Sequence, residues 1–247
     1  MIESIIWIIL IIVIGIVMFK ITKSILKTMF LVFSAVSLII LIFGFFVISD
    51  TMDFNENFQT QPSLFLLGDS GELTAGFSGI PSEEAQFTFL SEERLGSYNE
   101  SNLENILQDN YKIFLIKKDA FGSVDQIEAE NINITKKEIF NIIDSETPVY
   151  DYLRLQPEEI PESVLPQAKE DILSQMDIET EAEFKGLIFA ILFSKTMENP
   201  LFLFSQHQKE NIIVYPETAM FKFIKRMPLS LIDNLVNVKR GEQDRDT

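Results

Sequence analysis

The sequence predicts an N-terminal transmembrane α-helical hairpin followed by a soluble α+β domain, with a mixed or antiparallel sheet and several helices. Three observations lead to this fold class. Two long apolar runs without charge stand near the N-terminus, charged residues are concentrated after them, and short strand and helix patterns then interleave without a regular βαβ rhythm. We therefore expect two physically different parts within 247 residues.

The two apolar runs are interpreted as membrane spans covering about residues 4–20 and 28–49. The second run has 22 residues without a charge, about 33 Å of helix at ~1.5 Å per residue, which is enough to cross a hydrocarbon core of ~30 Å. The first run, residues 5–19, is shorter and needs its flanks, including a snorkelling Lys20, to span. Residues 20–27 would then form a tight turn between the two helices.

Two other interpretations of these runs stay open. Each run could be a buried helix of a soluble protein, and the first could be a cleaved signal peptide. A signal peptide carries a basic region before its apolar run, whereas here Glu3 is the only charged side chain before the first run and the lysines follow it. This order favours a hairpin.

Charged residues indicate how the hairpin is oriented in a cell membrane. Short cytoplasmic loops retain Lys and Arg. The two ends of the second run differ in sign, with Lys20, Lys23 and Lys27 before it and Asp50, Asp53 and Glu56 after it. The lysine-bearing turn is therefore predicted to be cytoplasmic, with two spans, and with the N-terminus and the C-terminal domain outside.

The composition excludes several classes of protein. The formal net charge is −17, and residues 50–247 contain 36 acidic against 17 basic side chains, a net charge of −19. Binding a nucleic-acid backbone needs a basic surface, so no nucleic acid is expected as a partner. The acidity is interpreted as keeping an outward domain soluble and away from anionic lipid headgroups. The absence of Cys excludes disulfides, thiolate zinc sites and a Cys nucleophile.

The C-terminal region is predicted as a linker at 50–62, an acidic extracytoplasmic α+β domain at 63–238 and a disordered tail at 239–247. A Pro- and Glu-rich stretch, residues 156–163, could separate two subdomains. The predicted strands lie in a hairpin at Ser63–Phe77, at Ala85–Leu90, at Tyr111–Lys117, at Pro148–Leu155, and in a second hairpin formed by Leu201–Phe204 and Asn211–Tyr215 around a polar turn.

Helix starts are indicated by three capping boxes, in which a Ser or Thr is followed three residues later by Glu: Ser101/Glu104, Thr135/Glu138 and Thr180/Glu183. Further helices are predicted at about 166–176 and 229–236. The helix at Glu181–Asn199 is apolar around most of its circumference, which fits a central core helix or one with a second face for a partner or membrane surface.

Candidate catalytic chemistry is sparse. The string at 68–71 is GDSG, which is also found around the nucleophile of chymotrypsin-like proteases, but the resemblance covers four residues and is also what a tight turn favours. A Ser70 nucleophile needs a base, and the single His, His207, is predicted in a solvated turn. Carboxylates could pair for acid–base work at Glu83/Glu84, Glu92/Glu93, Glu158/Glu159 and Asp177 through Glu183, although a solvated acidic surface is the favoured interpretation.

From these observations we expect a non-enzymatic, membrane-anchored extracytoplasmic subunit that binds a protein or serves as an accessory to a complex. Its partners would be the lipid bilayer, through residues 4–49, and another protein. No catalytic, cofactor-binding or metal-binding residue is assigned, no cofactor is expected, and no small molecule is identified. The alternatives are a membrane-anchored hydrolase using Ser70 or a carboxylate pair, and a factor that assembles membrane proteins through the hairpin.

Overall fold

A computed structural model describes residues 2–69, 72–81, 87–98, 102–129, 132–156, 160–197, 199 and 201–228. Contacts divide the chain into two compact units, residues 1–49 and residues 50–247. This division falls at the end of the second apolar run, and not at 156–163. The predicted helix at 229–236 and the predicted tail at 239–247 lie outside the described residues.

The first unit is helical throughout its described length, because helix α1 runs without interruption over Ile2–Asn57. The turn that the sequence predicts at 20–27 is not present, so a hairpin of two spans is not shown. The segment KITKSILK contains neither Gly nor Pro, and Lys and Leu are good helix formers. Nothing in its local sequence therefore ends the helix, and charge alone does not create a turn.

The second apolar run has the properties of a membrane span. Residues 25–57 form a stretch of 33 helical residues, whose most apolar 18-residue part has a mean hydropathy of 2.9 and is entirely unburied. Large side chains such as Phe30 and Leu41 are at least 70% exposed. Length and composition of this kind are those of a membrane-spanning helix or of a signal sequence.

The second unit opens with the last turns of α1, where the sequence predicts a linker. Residues 50–57 are helical, and backbone hydrogen bonds extend the ordered chain to Gln61. The linker prediction was based on polarity, but Phe54 and Phe58 stand four residues apart on one helix face and are both buried. The helix therefore ends inside the domain core.

A mixed sheet of five strands organises the described part of the domain. Its strands are β1 Ser63–Asp69, β2 Glu72–Gly79, β3 Thr88–Phe89, β4 Ile113–Ile116 and β7 Ile212–Tyr215. They lie in the order β3-β2-β1-β4-β7. Strand β1 pairs antiparallel with β2 and parallel with β4, while β3 and β7 form the antiparallel edges. The hairpin predicted at Ser63–Phe77 and the strand predicted at Tyr111–Lys117 are thus confirmed.

Helices cover both faces of this sheet, so its central strands are apolar on both sides. Phe65 and Leu67 of β1 face the larger layer, whereas Leu64 and Leu66 face the smaller one. The smaller layer is α2 Glu92–Ser97 and α3 Leu103–Leu107; the larger contains α4 Lys136–Asp144, α5 Pro148–Leu153, α6 Leu165–Gln175, α7 Glu181–Met197, α8 Phe202–Gln208 and α9 Ala219–Arg226. A 3₁₀ turn at Lys118–Phe121 and a separate hairpin of β5 Gln126–Ala129 and β6 Ile132–Thr135 complete the domain.

Two predicted strand segments are wrong. Residues 148–153 form α5, with Pro148 in the first turn, where its missing N–H costs nothing. Residues 202–208 form α8, and β7 pairs with β4 instead of with the 201–204 run. A short apolar run does not distinguish a strand from a buried helix turn, and here tertiary packing decides.

Two of the capping boxes are confirmed by their hydrogen bonds. The Glu138 backbone N–H donates to Thr135 Oγ1 at 3.4 Å, and the Thr135 backbone N–H donates to Glu138 Oε2 at 2.8 Å. At the start of α7, the Thr180 and Glu183 backbone N–H groups bond the partner side chains at 3.1 and 3.2 Å. The third box includes Ser101, which lies outside the described residues.

Helix α7 is the central core helix that the sequence predicts as one of two options. Phe184, Ile188, Phe189, Leu192 and Phe193 are all at most 2% exposed. Together, α7 and α8 are also long and apolar enough for a bent membrane span, but the apolar side chains of α7 are packed against the sheet. At Gly186 the helix approaches β2 so closely that an added Cβ would lie 2.7 Å from the Gly76 carbonyl oxygen.

We predict that Gly186→Ala lowers the free energy of unfolding by about 1–3 kcal/mol, because the new methyl group meets backbone that cannot rotate away. Urea unfolding of the full chain in detergent, followed by near-UV circular dichroism, measures the change. Gly96→Ala in α2 is the matched control, since nothing lies within 4 Å of its added Cβ. Equal effects of the two substitutions would contradict the close approach of α7 to β2.

Candidate binding cleft

The end of α1 is held in the domain by aromatic packing. The Phe54 ring lies 5.4 Å from Phe221 and 5.8 Å from Phe204, measured between ring centroids. Phe58 continues the contact, with its ring 5.5 Å from that of Phe114 in β4. Residues 50–58 therefore form a wall of the domain, and their other side chains define two flanks.

One flank is polar and joins α1 to two other elements. The Tyr111 hydroxyl donates to Asp53 Oδ2 at 2.7 Å, and the Met220 backbone N–H donates to Asp50 Oδ2 at 3.2 Å. Burial, and then the bond to Asp53, raises the pKa of Tyr111 above its ordinary value. The phenol thus stays protonated and remains a donor. The Asp50 carboxylate occupies the N-terminus of α9, where a negative charge is favourable.

Lys112 is the most deeply buried cation among the described residues, with 2% of its surface exposed. Its Nζ donates to the Pro216 carbonyl oxygen at 3.1 Å and lies 4.8 Å from the centre of the Tyr111 ring and 5.5 Å from that of Phe221. Burial lowers the pKa of Lys112, and the carboxylates of Asp53 and Asp50 oppose that shift. The carbonyl oxygen and the two ring faces compensate part of the lost hydration.

His207 does not lie in a solvated turn, and that prediction is wrong. It is in α8, is 3% exposed, and its Nδ1 lies 2.9 Å from the Ile212 carbonyl oxygen. Since a carbonyl oxygen only accepts, Nδ1 carries the proton. Nε2 lies 3.4 Å from Glu217 Oε1 without a hydrogen bond between them. The bond from Nδ1 attaches α8 to the start of the β7 strand, which is a structural role.

The other flank of residues 50–59 borders an apolar cleft of about 700 Å³. This volume lies within the ~300–1,000 Å³ of typical ligand pockets. Its lining is dominated by Met and Phe, with a few polar side chains from the helix: Thr51, Met52, Phe54, Asn55, Phe58, Gln59, Pro81, Met197, Leu203, Phe204 and Met220. Flexible, polarisable Met side chains adapt to apolar partners of different shape.

The residues that the sequence singles out are only partly within the described part of the chain, and those within it form no common site. Ser70, Glu83/Glu84 and Glu158/Glu159 lie outside the described residues. Glu92 and Glu93 are exposed in the first turn of α2. In the stretch from Asp177 to Glu183, Glu183 is used in the helix cap, and Glu181 binds Lys169. Within the described residues, no group of three or more His, Asp or Glu side chains is arranged to hold a metal ion.

Sequence reasoning missed the cleft, because its walls come from four distant parts of the chain. One signal was present: Phe54 and Phe58 interrupt an otherwise polar stretch with helical spacing. Comparison with known proteins adds no assignment, since no family model, no curated protein and no solved structure matches this chain.

We predict that Phe58→Ala lowers the free energy of unfolding by about 3–5 kcal/mol, because it leaves a cavity beneath β4. Met52→Ala is the matched control on the same helix, and at 69% exposure it should change stability by at most about 0.5 kcal/mol. Urea unfolding of the full chain in detergent measures both. A small effect of Phe58→Ala would restore the linker interpretation of residues 50–62.

We also predict that Lys112→Met removes a pH dependence of stability. The pKa of Lys112 is lower in the folded state than its ordinary 10.5, so the unfolded chain binds more protons between the two pKa values, and stability rises with pH in that window. Unfolding titrations from pH 7 towards 10 should therefore show a rising free energy for the parent chain and a flatter profile for the variant. Lys112→Arg, which stays charged, separates charge from packing. An unchanged slope in Lys112→Met would exclude Lys112 as its source.

Proposed function

We propose that this chain is a membrane-anchored accessory protein whose acidic domain binds an apolar segment of a partner protein outside the cytoplasm. The apolar cleft beside residues 51–59 is the observation that carries the proposal. It is open, adaptable and apolar, and it begins two residues after the apolar run ends. The end of α1 and the turn after it line the cleft from Thr51 to Gln59, a wall of the kind on which an amphipathic helix docks.

The apolar run at 28–49 supports the anchor. This run continues without a break into a helical segment whose side chain Phe54 belongs to the domain core. We propose that it spans the membrane with its lysine end in the cytoplasm and its acidic end outside, as the distribution of Lys residues favours.

In this proposal, the number of spans decides only on which side of the membrane the N-terminus lies. A single span, which follows the continuous course of α1, leaves the N-terminus in the cytoplasm. A second span at 4–20 would return it to the outside. Both arrangements keep the domain outside, because its side of the membrane depends on the second run and its flanking charges.

Cysteine labelling in intact cells tests the topology, and only the introduced Cys of the chain can be labelled because the chain has no native Cys. We predict that a membrane-impermeant maleimide labels Val164→Cys, whose parent side chain is 47% exposed, and does not label Ser4→Cys until the membrane is permeabilised. Labelling of Ser4→Cys in intact cells would establish a second span. Protection of Val164→Cys would place the domain inside and overturn the proposed location.

Site-specific photo-crosslinking tests the binding role. We predict that benzoylphenylalanine in place of Met52 or Phe204 forms a protein adduct in native membranes at least several-fold more often than the same group at Val164, which is outside the cleft lining. Identification by mass spectrometry then names the partner. An adduct consisting only of lipid, or equal adduct formation at Val164, would contradict binding of a protein in the cleft.

A further inference from the structure

Helix α9 is a local exception to the acidity of the domain. Its eight residues include Lys222, Lys225 and Arg226 and no acidic side chain, although residues 50–247 carry a net charge of −19. Met220 and Phe221 are buried in the domain, while Lys222 and Arg226, four residues apart, are exposed on the opposite face. Phe223 lies beside them with 41% of its surface exposed.

The start of α9 is fixed to the point where the chain leaves the apolar run. The Met220 backbone N–H donates to Asp50 Oδ2, and the Phe221 ring packs edge-on against Phe54. Asp50 directly follows Ser49, the last residue of the run. If the run spans a bilayer, Asp50 lies at its surface, and the first turn of α9 lies within hydrogen-bonding distance of that residue.

We propose that the exposed face of α9 rests on the surface of the same bilayer, with Lys222 and Arg226 against anionic lipid headgroups and Phe223 in the interface. This inference rests on the proposed membrane anchor. Lys225 has an ion pair with Glu210 at 3.1 Å, so the proposal uses the other two cations. Lys and Arg side chains are attracted to anionic headgroups, and Phe is among the side chains that bury at the membrane interface.

Charge complementarity favours lipid as the occupant of this face. Where the leaflet facing the domain contains anionic lipid, an acidic domain tethered close to it is repelled unless a basic surface is turned towards the lipid. Helix α9 supplies such a surface next to Asp50. The net negative charge is therefore an average over the domain, and in this proposal the side of the domain that faces the membrane is positively charged.

Fluorescence quenching of a single-cysteine label in nanodiscs tests this inference with the full chain. The dye is attached at Ala219→Cys, which keeps Phe223 and all three cations of α9, and the discs contain shallow nitroxide lipids with or without 30% anionic lipid. We expect at least twofold stronger quenching at Ala219→Cys than at Val164→Cys, and a further increase with anionic lipid. Lys222→Glu combined with Arg226→Glu should remove the increase caused by anionic lipid, whereas Lys222→Arg combined with Arg226→Lys should retain it.

A label at Phe33→Cys, within the second apolar run, separates the two proposals. Strong quenching at Phe33→Cys without quenching at Ala219→Cys overturns the placement of α9 and leaves the anchor intact. Absence of quenching at Phe33→Cys overturns the anchor itself. If quenching at Ala219→Cys is independent of anionic lipid and of charge reversal, recognition of headgroups by Lys222 and Arg226 is excluded. If α9 binds an acidic protein instead of lipid, the label at Ala219→Cys remains unquenched.

Discussion

Stacked phenylalanine rings around Phe65 hold the domain together. The Phe65 ring is stacked 4.9 Å from Phe77 of β2 and 5.1 Å from Phe114 of β4, and it lies 4.5 Å from Phe193 of α7. Phe58, from the end of α1, contacts the same group at 6.4 Å. Three strands and two helices thus meet at one side chain. Offset and edge-on aromatic contacts stabilise beyond their buried area, and this arrangement fixes how α7 and the end of α1 lie against the sheet.

The last turns of α1 consequently have three roles in the domain. Phe54 and Phe58 fill its core, Asp50 and Asp53 bind α9 and Tyr111, and Met52 with its neighbours forms a wall of the cleft. A fragment beginning at residue 63, as the linker interpretation would suggest, would lack two core aromatic side chains and one side of the cleft. The proposed binding and the proposed contact of α9 with lipid both depend on residues that follow the apolar run directly and that also complete the domain core.

Local signals were reliable where a few adjacent residues decide the structure. The capping boxes at Thr135 and Thr180 marked true helix starts, because each is satisfied within four residues. The segments around Pro148 and Phe202 were mispredicted as strands, because short apolar runs fit either a strand or a buried helix turn until their neighbours are known. The buried positions of Lys112 and His207 had no local signal, since burial is decided by α8, β7 and α9 together.

The sequence by itself determined that an apolar, lysine-bearing N-terminal segment precedes an acidic α+β domain, because hydropathy, charge and periodicity are properties of contiguous residues. Only the tertiary structure decided that α1 continues through 20–27, that its end belongs to the domain core, and that an apolar cleft opens beside it. The last two features depend on contacts between residues far apart in the chain, such as Asp50 with Met220 and Phe58 with Phe114. Such contacts form only when the sheet and helices assemble, and no local pattern specifies them.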